Sequence, residues 1–191
     1  MSTNTTENKE KVELDSTTIQ KALIIFYSRN GHSEKIANDL HAAIPSDVVQ
    51  IQENDGMNRG SYTNYFTSFS ESYLGYDYSS YLKTENLADV AKYSALIFVG
   101  PVWCWDLCAP LKNACKEVLK TVKQTQDIFV ALSLGGAGDK GSFEVIKKMF
   151  SGKAIVHDDY LSCVESAYAS GQLKDKFDSF VQKVLKAVEK W

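Results

Sequence analysis

At 191 residues, 44% apolar and 24% charged, the chain has the size and balance of one compact soluble domain, with no room for a second. A formal charge of −3 offers no basic field for a phosphate backbone and argues against nucleic acid as a partner. No run of about 18 apolar residues occurs, which excludes a spanning helix, and four cysteines without a secretory signal read as reduced thiols.

Residues 1–20 (MSTNTTENKEKVELDSTTIQ) lack the apolar core of a signal peptide and the Arg-rich character of a transit peptide. They read as a disordered polar tail on a cytoplasmic protein, with a single domain over 21–191. Ala22-Leu23-Ile24-Ile25-Phe26-Tyr27 is an apolar run too short for a core helix and closed by Ser28-Arg29-Asn30-Gly31, hence a strand buried on both faces. Ser33 as a cap, followed by Ile36, Ala37, Leu40 and Ile44 at helical spacing, predicts a helix leaving directly from that turn. Val48–Ile51, Ala95–Val99, Ile128–Leu132 and Ala154–Val156 read as four further strands. Between them lie helices opened by Pro110 (Leu111, Ala114, Cys115, Val118, Leu119, Val122 on one face) and by Ser142 (Val145, Ile146, Met149, Phe150). A last stripe, Leu173, Phe177, Phe180, Val181, Val184, Leu185 and Val188, ends the chain. Right-handed crossovers between parallel strands then place helices on both faces of a doubly wound α/β sheet. One stretch breaks the rhythm: an insertion at about 53–93 carries Tyr62, Tyr65, Phe66, Phe69 and Tyr73 as a helical stripe, and reads as scaffold packing, a lid or a dimer face.

In such a sheet ligands sit beyond the carboxyl ends of the strands, so three loops matter. The first, Ser28-Arg29-Asn30-Gly31-His32-Ser33, combines hydroxyls, an amide and a glycine at a helix start, where backbone N–H groups converge on an anion such as phosphate. The second, Pro101-Val102-Trp103-Cys104-Trp105, sets two indoles at the mouth of a central strand, as a platform for a flat heteroaromatic ring or as inward-folded core. The third holds Gly135 and Gly136, and its Gly136-Ala137-Gly138-Asp139-Lys140-Gly141 matches a dinucleotide fingerprint with Asp158 downstream. That fingerprint belongs on a first strand, not a fourth, so the glycines are read as letting backbone approach a ligand held by the other loops. Cys104 and Cys108 lack metal-ligand spacing, and His157-Asp158-Asp159 reads as a polar strand end rather than a cation site. There is no Gly-x-Ser-x-Gly elbow and no triphosphate loop.

Leu23 to Ala37 (LIIFYSRNGHSEKIA), Phe98 to Leu111 (FVGPVWCWDLCAPL) and Val130 to Gly141 (VALSLGGAGDKG) together resemble the flavodoxins and flavodoxin-like NAD(P)H quinone reductases. The resemblance implies a flavodoxin-like five-stranded parallel sheet of order 2-1-3-4-5 and a non-covalent FMN. It maps the phosphate loop onto Ser28–Ser33, one ring-flanking loop onto Pro101–Trp105 and the other onto Leu134–Gly138. Three functions are compatible with it. One is an electron carrier serving a redox partner protein, and another a reductase passing electrons from NAD(P)H to a small quinone-like acceptor. The third is a flavin-free binding module.

Overall fold

The computed structural model describes residues 19–53, 70–71, 74, 82–83, 87 and 89–190. The tail up to residue 18 and the aromatic stripe of the insertion therefore lie outside the described residues. Strand β1 (Ile19–Phe26) opens three residues earlier than the sequence suggests and is followed by α1 (His32–Ala43) and β2 (Ser46–Gln50). Two short strands, β3 (Gln52–Glu53) and β4 (Leu82–Lys83), pair antiparallel and so bring the start of the insertion against residues 82–83. The central strand β5 (Tyr93–Trp103) continues into a hairpin with β6 (Asp106–Leu107) and then α2 (Ala109–Val118). Strand β7 (Asp127–Leu134), α3 (Asp139–Phe150), β8 (Ile155–Val156), β9 (Leu161–Val164), α4 (Glu165–Ala169) and α5 (Lys174–Glu189) complete the order.

The parallel sheet runs β2-β1-β5-β7-β8, with β9 also paired to β7. This is the expected order 2-1-3-4-5, with one correction. The fifth strand is two pieces: β8 pairs near the start of β7 (Ile128↔Val156) and β9 near its end (Ala131↔Leu161). The polar stretch between them breaks the strand. His157 stacks on Phe129 with centroids 4.2 Å apart and bonds Asp127 at 2.7 Å, while Asp158 pairs with Lys147 and Asp159 with Lys183.

Period-two alternation along the central strands builds a core on each face. Leu23, Ile25, Leu96, Phe98, Ile128 and Val130 face α2 and α3, meeting Leu111, Val118, Phe143, Ile146 and Phe150. Ile24, Phe26, Ile97, Val99 and Phe129 face α1 and α5, meeting Ile36, Leu40, Phe180 and Val184. Each such side chain contributes about 1.5–3 kcal/mol on burial, so the strand ends, and the loops between them, are held by the stiffest part of the molecule. No helix among the described residues is long and apolar enough to cross a membrane.

The predicted cap Ser33 is not a cap. Gly31 at φ 85° and Gly138 at φ 101° occupy the N-cap positions of α1 and α3, each in the left-handed region that glycine enters without a Cβ penalty. Ser33 turns inward instead, and Ser142 Oγ donates to the Gly138 carbonyl at 2.9 Å.

Buried Gln126 fixes the base of the sheet by using its whole amide. Its Nε2 donates to the carbonyls of Val90 (2.9 Å) and Tyr93 (2.7 Å), and its Oε1 accepts from the Lys123 amide (2.7 Å). Gln126→Leu strips these partners inside a dry interior and is expected to destabilise the fold by about 2–4 kcal/mol, read as a lower urea midpoint at unchanged slope.

Candidate functional site

The carboxyl ends of β1, β5 and β7 meet at one end of the sheet, and a cavity of about 210 Å³ opens there. It is lined by Ser28, Arg29, Asn30, His32 and Ser33 from the first loop and by Pro101, Val102 and Trp103 from the second. Ser133 and Glu165, which the sequence did not single out, complete the wall. Gly31 lines an adjoining cavity of about 290 Å³ that shares Asn30, His32, Ser133 and Glu165 with the first. Cys104, Trp105, Gly135 and Gly136 border neither; the two glycines are exposed on the third loop, and Trp105 is 70% exposed.

The first loop is folded around its own polar groups. The Gly31 amide donates to Ser28 Oγ at 3.1 Å, Arg29 Nε donates to Asn30 Oδ1 at 3.1 Å, and the Lys35 amide makes the first helical bond to the Gly31 carbonyl at 2.9 Å. The amides of the first turn of α1, ahead of that bond, have no intrahelical acceptor and carry the positive end of the helix dipole. Ser33, 1% exposed, sets its Oγ 2.7 Å from Ser133 Oγ, pinning the helix start to the end of β7. A Cβ on Gly31 would meet nothing within 4 Å, so the glycine serves backbone conformation and not packing. Amide N–H groups and hydroxyls with Arg29 and His32 nearby form a donor set suited to an oxyanion, against which Glu165 is the opposing charge. His32 Nε2 lies 3.4 Å from Glu165 Oε2, the two side chains 49% and 36% exposed.

The second loop is a hairpin in which Val102 pairs Leu107 and Trp103 pairs Asp106. Its two-residue tip, Cys104 and Trp105, has φ 52° and 62°, the doubly left-handed conformation usually given to Asn and Gly. Each non-glycine residue there costs about 1–2 kcal/mol. Asp106 offsets part of this by accepting from its neighbour Leu107 amide and from Lys112 Nζ, both at 2.8 Å. The third loop supports the tip from the other side: a Cβ on Gly138 would lie 2.6 Å from Trp105 Cα and 2.9 Å from Val102 Cγ1. The glycine of the fingerprint-like segment thus admits the backbone of the neighbouring loop, where the sequence suggested a ligand.

Of the two indoles, Trp103 is the one held in place. Tyr27 meets it edge-on at 5.6 Å and the Arg29 guanidinium lies 5.0 Å from its centroid, while Tyr27 Oη donates to Glu53 at 2.8 Å. Among the thiols only Cys104 is half-buried, and Cys108, Cys115 and Cys163 are buried, with burial pushing Cys163 up to about 12. The Asp139 carboxyl opens α3. Burial works to raise it, but hydrogen bonds from Ser162, from Tyr160 and from the backbone outweigh burial and hold it below the usual carboxylate range.

No family model and no curated protein matches this chain. Solved structures do. A flavoprotein from Lactobacillus acidophilus NCFM, in complex with FMN, is 17% identical at a TM-score of 0.64 over 78% of this chain and 97% of that one. A WrbA-like flavodoxin from Agrobacterium tumefaciens is 11% identical at 0.59 over 88% and 97%. The two-electron reduced flavodoxin of Megasphaera elsdenii is 14% identical at 0.53 over 84% and 98%. The chain has the flavodoxin-like fold.

Two outcomes follow from the loop contacts. Gly138→Ala, at positive φ and against the Trp105 backbone, is expected to lower stability by about 2–4 kcal/mol, whereas Gly135→Ala, with nothing within 4 Å of the added carbon, is expected to change the thermal midpoint little. Because the folded Asp139 carboxyl is depressed, its contribution is present above the unfolded value of about 3.9 and is lost as pH falls through the folded one. The stability gap between the natural chain and Asp139→Asn should therefore close on acidification below about pH 4, seen in melts across pH.

Proposed function

We propose that this chain is a flavoprotein that holds FMN non-covalently at the end of its sheet and passes electrons through it. The observation carrying the reading is the cavity in which the opening turn of α1 and the hydroxyls of the first loop lie across from the held indole of Trp103. Ser28, Arg29, Asn30, Gly31, His32 and Ser33 would hold the phosphate, through amide and hydroxyl donors more than net charge. Pro101, Val102, Trp103, Cys104 and Trp105 on one side and Gly135 and Gly136 on the other would flank the ring. FMN supplies the electron and hydride chemistry that no side chain here offers. The residues of the chain bind and orient: the Ser33–Ser133 contact fixes the anion end, and Tyr27 with Arg29 fixes the plane of Trp103.

An NAD(P)H-dependent quinone reductase is the second reading, favoured by the third loop. Gly135, Gly136 and Ala137 are exposed and present no aromatic side chain, so one side of a bound ring would stay open to a small quinone-like acceptor. A redox partner protein docking at the exposed Trp105 belongs to the carrier reading.

Purified protein titrated with FMN is expected to give a yellow complex with quenched flavin fluorescence. Gly31→Val forces a β-branched residue to φ 85° and should weaken FMN about tenfold or more. Trp103→Ala should also weaken it and restore flavin emission. Absence of uptake by the natural chain would leave the flavin-free binding module, and oxidation of NAD(P)H with a soluble quinone would decide for the reductase over the carrier.

A further inference from the structure

Among the described residues Glu165 is the one carboxylate lining the cavity that the first loop borders, and it arrives there from the far end of the chain, as the first residue of α4 directly after β9. It is not a free surface acid. Its Oε2 lies 3.4 Å from His32 Nε2, and the pair forms part of the wall shared by the two adjoining cavities. A carboxylate beside an anion-binding helix turn opposes a phosphate, and it does so through a medium less polar than bulk water because the site is partly enclosed. The imidazole of His32 stands against it and, when protonated, offsets that charge. The other charged or titratable groups facing His32 are Arg29 from the loop, Lys35 from α1, Cys163 from β9 and Tyr168 from α4. Lys35 is engaged with Asp39 at 2.8 Å, and Tyr168 Oη donates to the same carboxylate at 2.7 Å. Cys163 is buried and its thiol is pushed up to about 12, so it adds no charge near neutrality. Arg29 is turned onto Trp103.

We propose that Glu165, held against His32, is the specificity-determining residue for the phosphate end of the flavin, setting how strongly the site prefers flavin that bears a phosphate over flavin that lacks one. The assignment rests on the flavin reading above and adds to it a residue that acts on the phosphate alone.

Dissociation constants of the full chain for FMN and for riboflavin, from fluorescence quenching, test this. Glu165→Gln is expected to tighten FMN about tenfold while riboflavin binding stays within about twofold. The unchanged riboflavin constant reports an intact pocket in the variant. An FMN-to-riboflavin ratio that Glu165→Gln leaves unmoved, or a tightening of both ligands alike, overturns the assignment while the flavin reading stands. Failure of the natural chain to bind either flavin overturns that reading and this assignment together.

Discussion

The buried contact between Ser33 and Ser133 joins two segments a hundred residues apart and fixes the opening of α1 against the end of the central strand β7. The two hydroxyls meet at 2.7 Å in the wall of the cavity, each residue 1% exposed, so separating them breaks a largely buried hydrogen bond. The first-loop end of the cavity takes its position from this link. The first loop needs no large side chain to hold its shape, because its start is pinned from beneath and its turn is made by a left-handed glycine. Its polar groups are thereby left facing the cavity.

The hairpin of the second loop depends on a different kind of support. Its tip places two non-glycine residues in a backbone conformation that L side chains rarely adopt, and the cost is borne by the contacts around it. Asp106 and Lys112 brace it from within, and the bare backbone of Gly138 lets α3 approach it more closely than any side chain allows. Strain of this sort persists where neighbours over-determine the geometry, and it accompanies the loop that carries both indoles. The second and third loops are thus coupled to each other mechanically, while the first loop is tied separately to β7.

How much of this was legible in the sequence follows from the range of the interactions involved. Strand and helix identities were legible because Leu23–Phe26, Ala95–Val99 and Ile128–Leu132 are continuous apolar runs, and Ile36, Ala37 and Leu40 keep a helical period. The doubly wound sheet followed from the crossover rule, and its strand order from the resemblance. The Ser33 cap was misread because serine is a common opener and the left-handed Gly31 two residues before it competes for the same role. The fifth strand was cut short because His157–Tyr160 is polar, and nothing in its spacing tells of Leu161–Val164 resuming beside β7. Ser133 had a faint signal, a hydroxyl in an otherwise apolar strand. Glu165 had none, since a carboxylate after a strand is ordinary until topology brings it to His32.

The interruption between β8 and β9 has a bearing on how the molecule behaves among its own copies. An open sheet edge presents unpaired N–H and C=O groups on which another chain can add a strand. Here that edge consists of one piece of two residues and one of four, parted by a bent stretch whose carboxylates are paired with lysines of α3 and α5. Neither piece is long or flat enough to template an incoming strand, and the charges between them repel a dry one. The polar break therefore guards this border of the sheet against edge-to-edge association and fibre growth in a crowded solution.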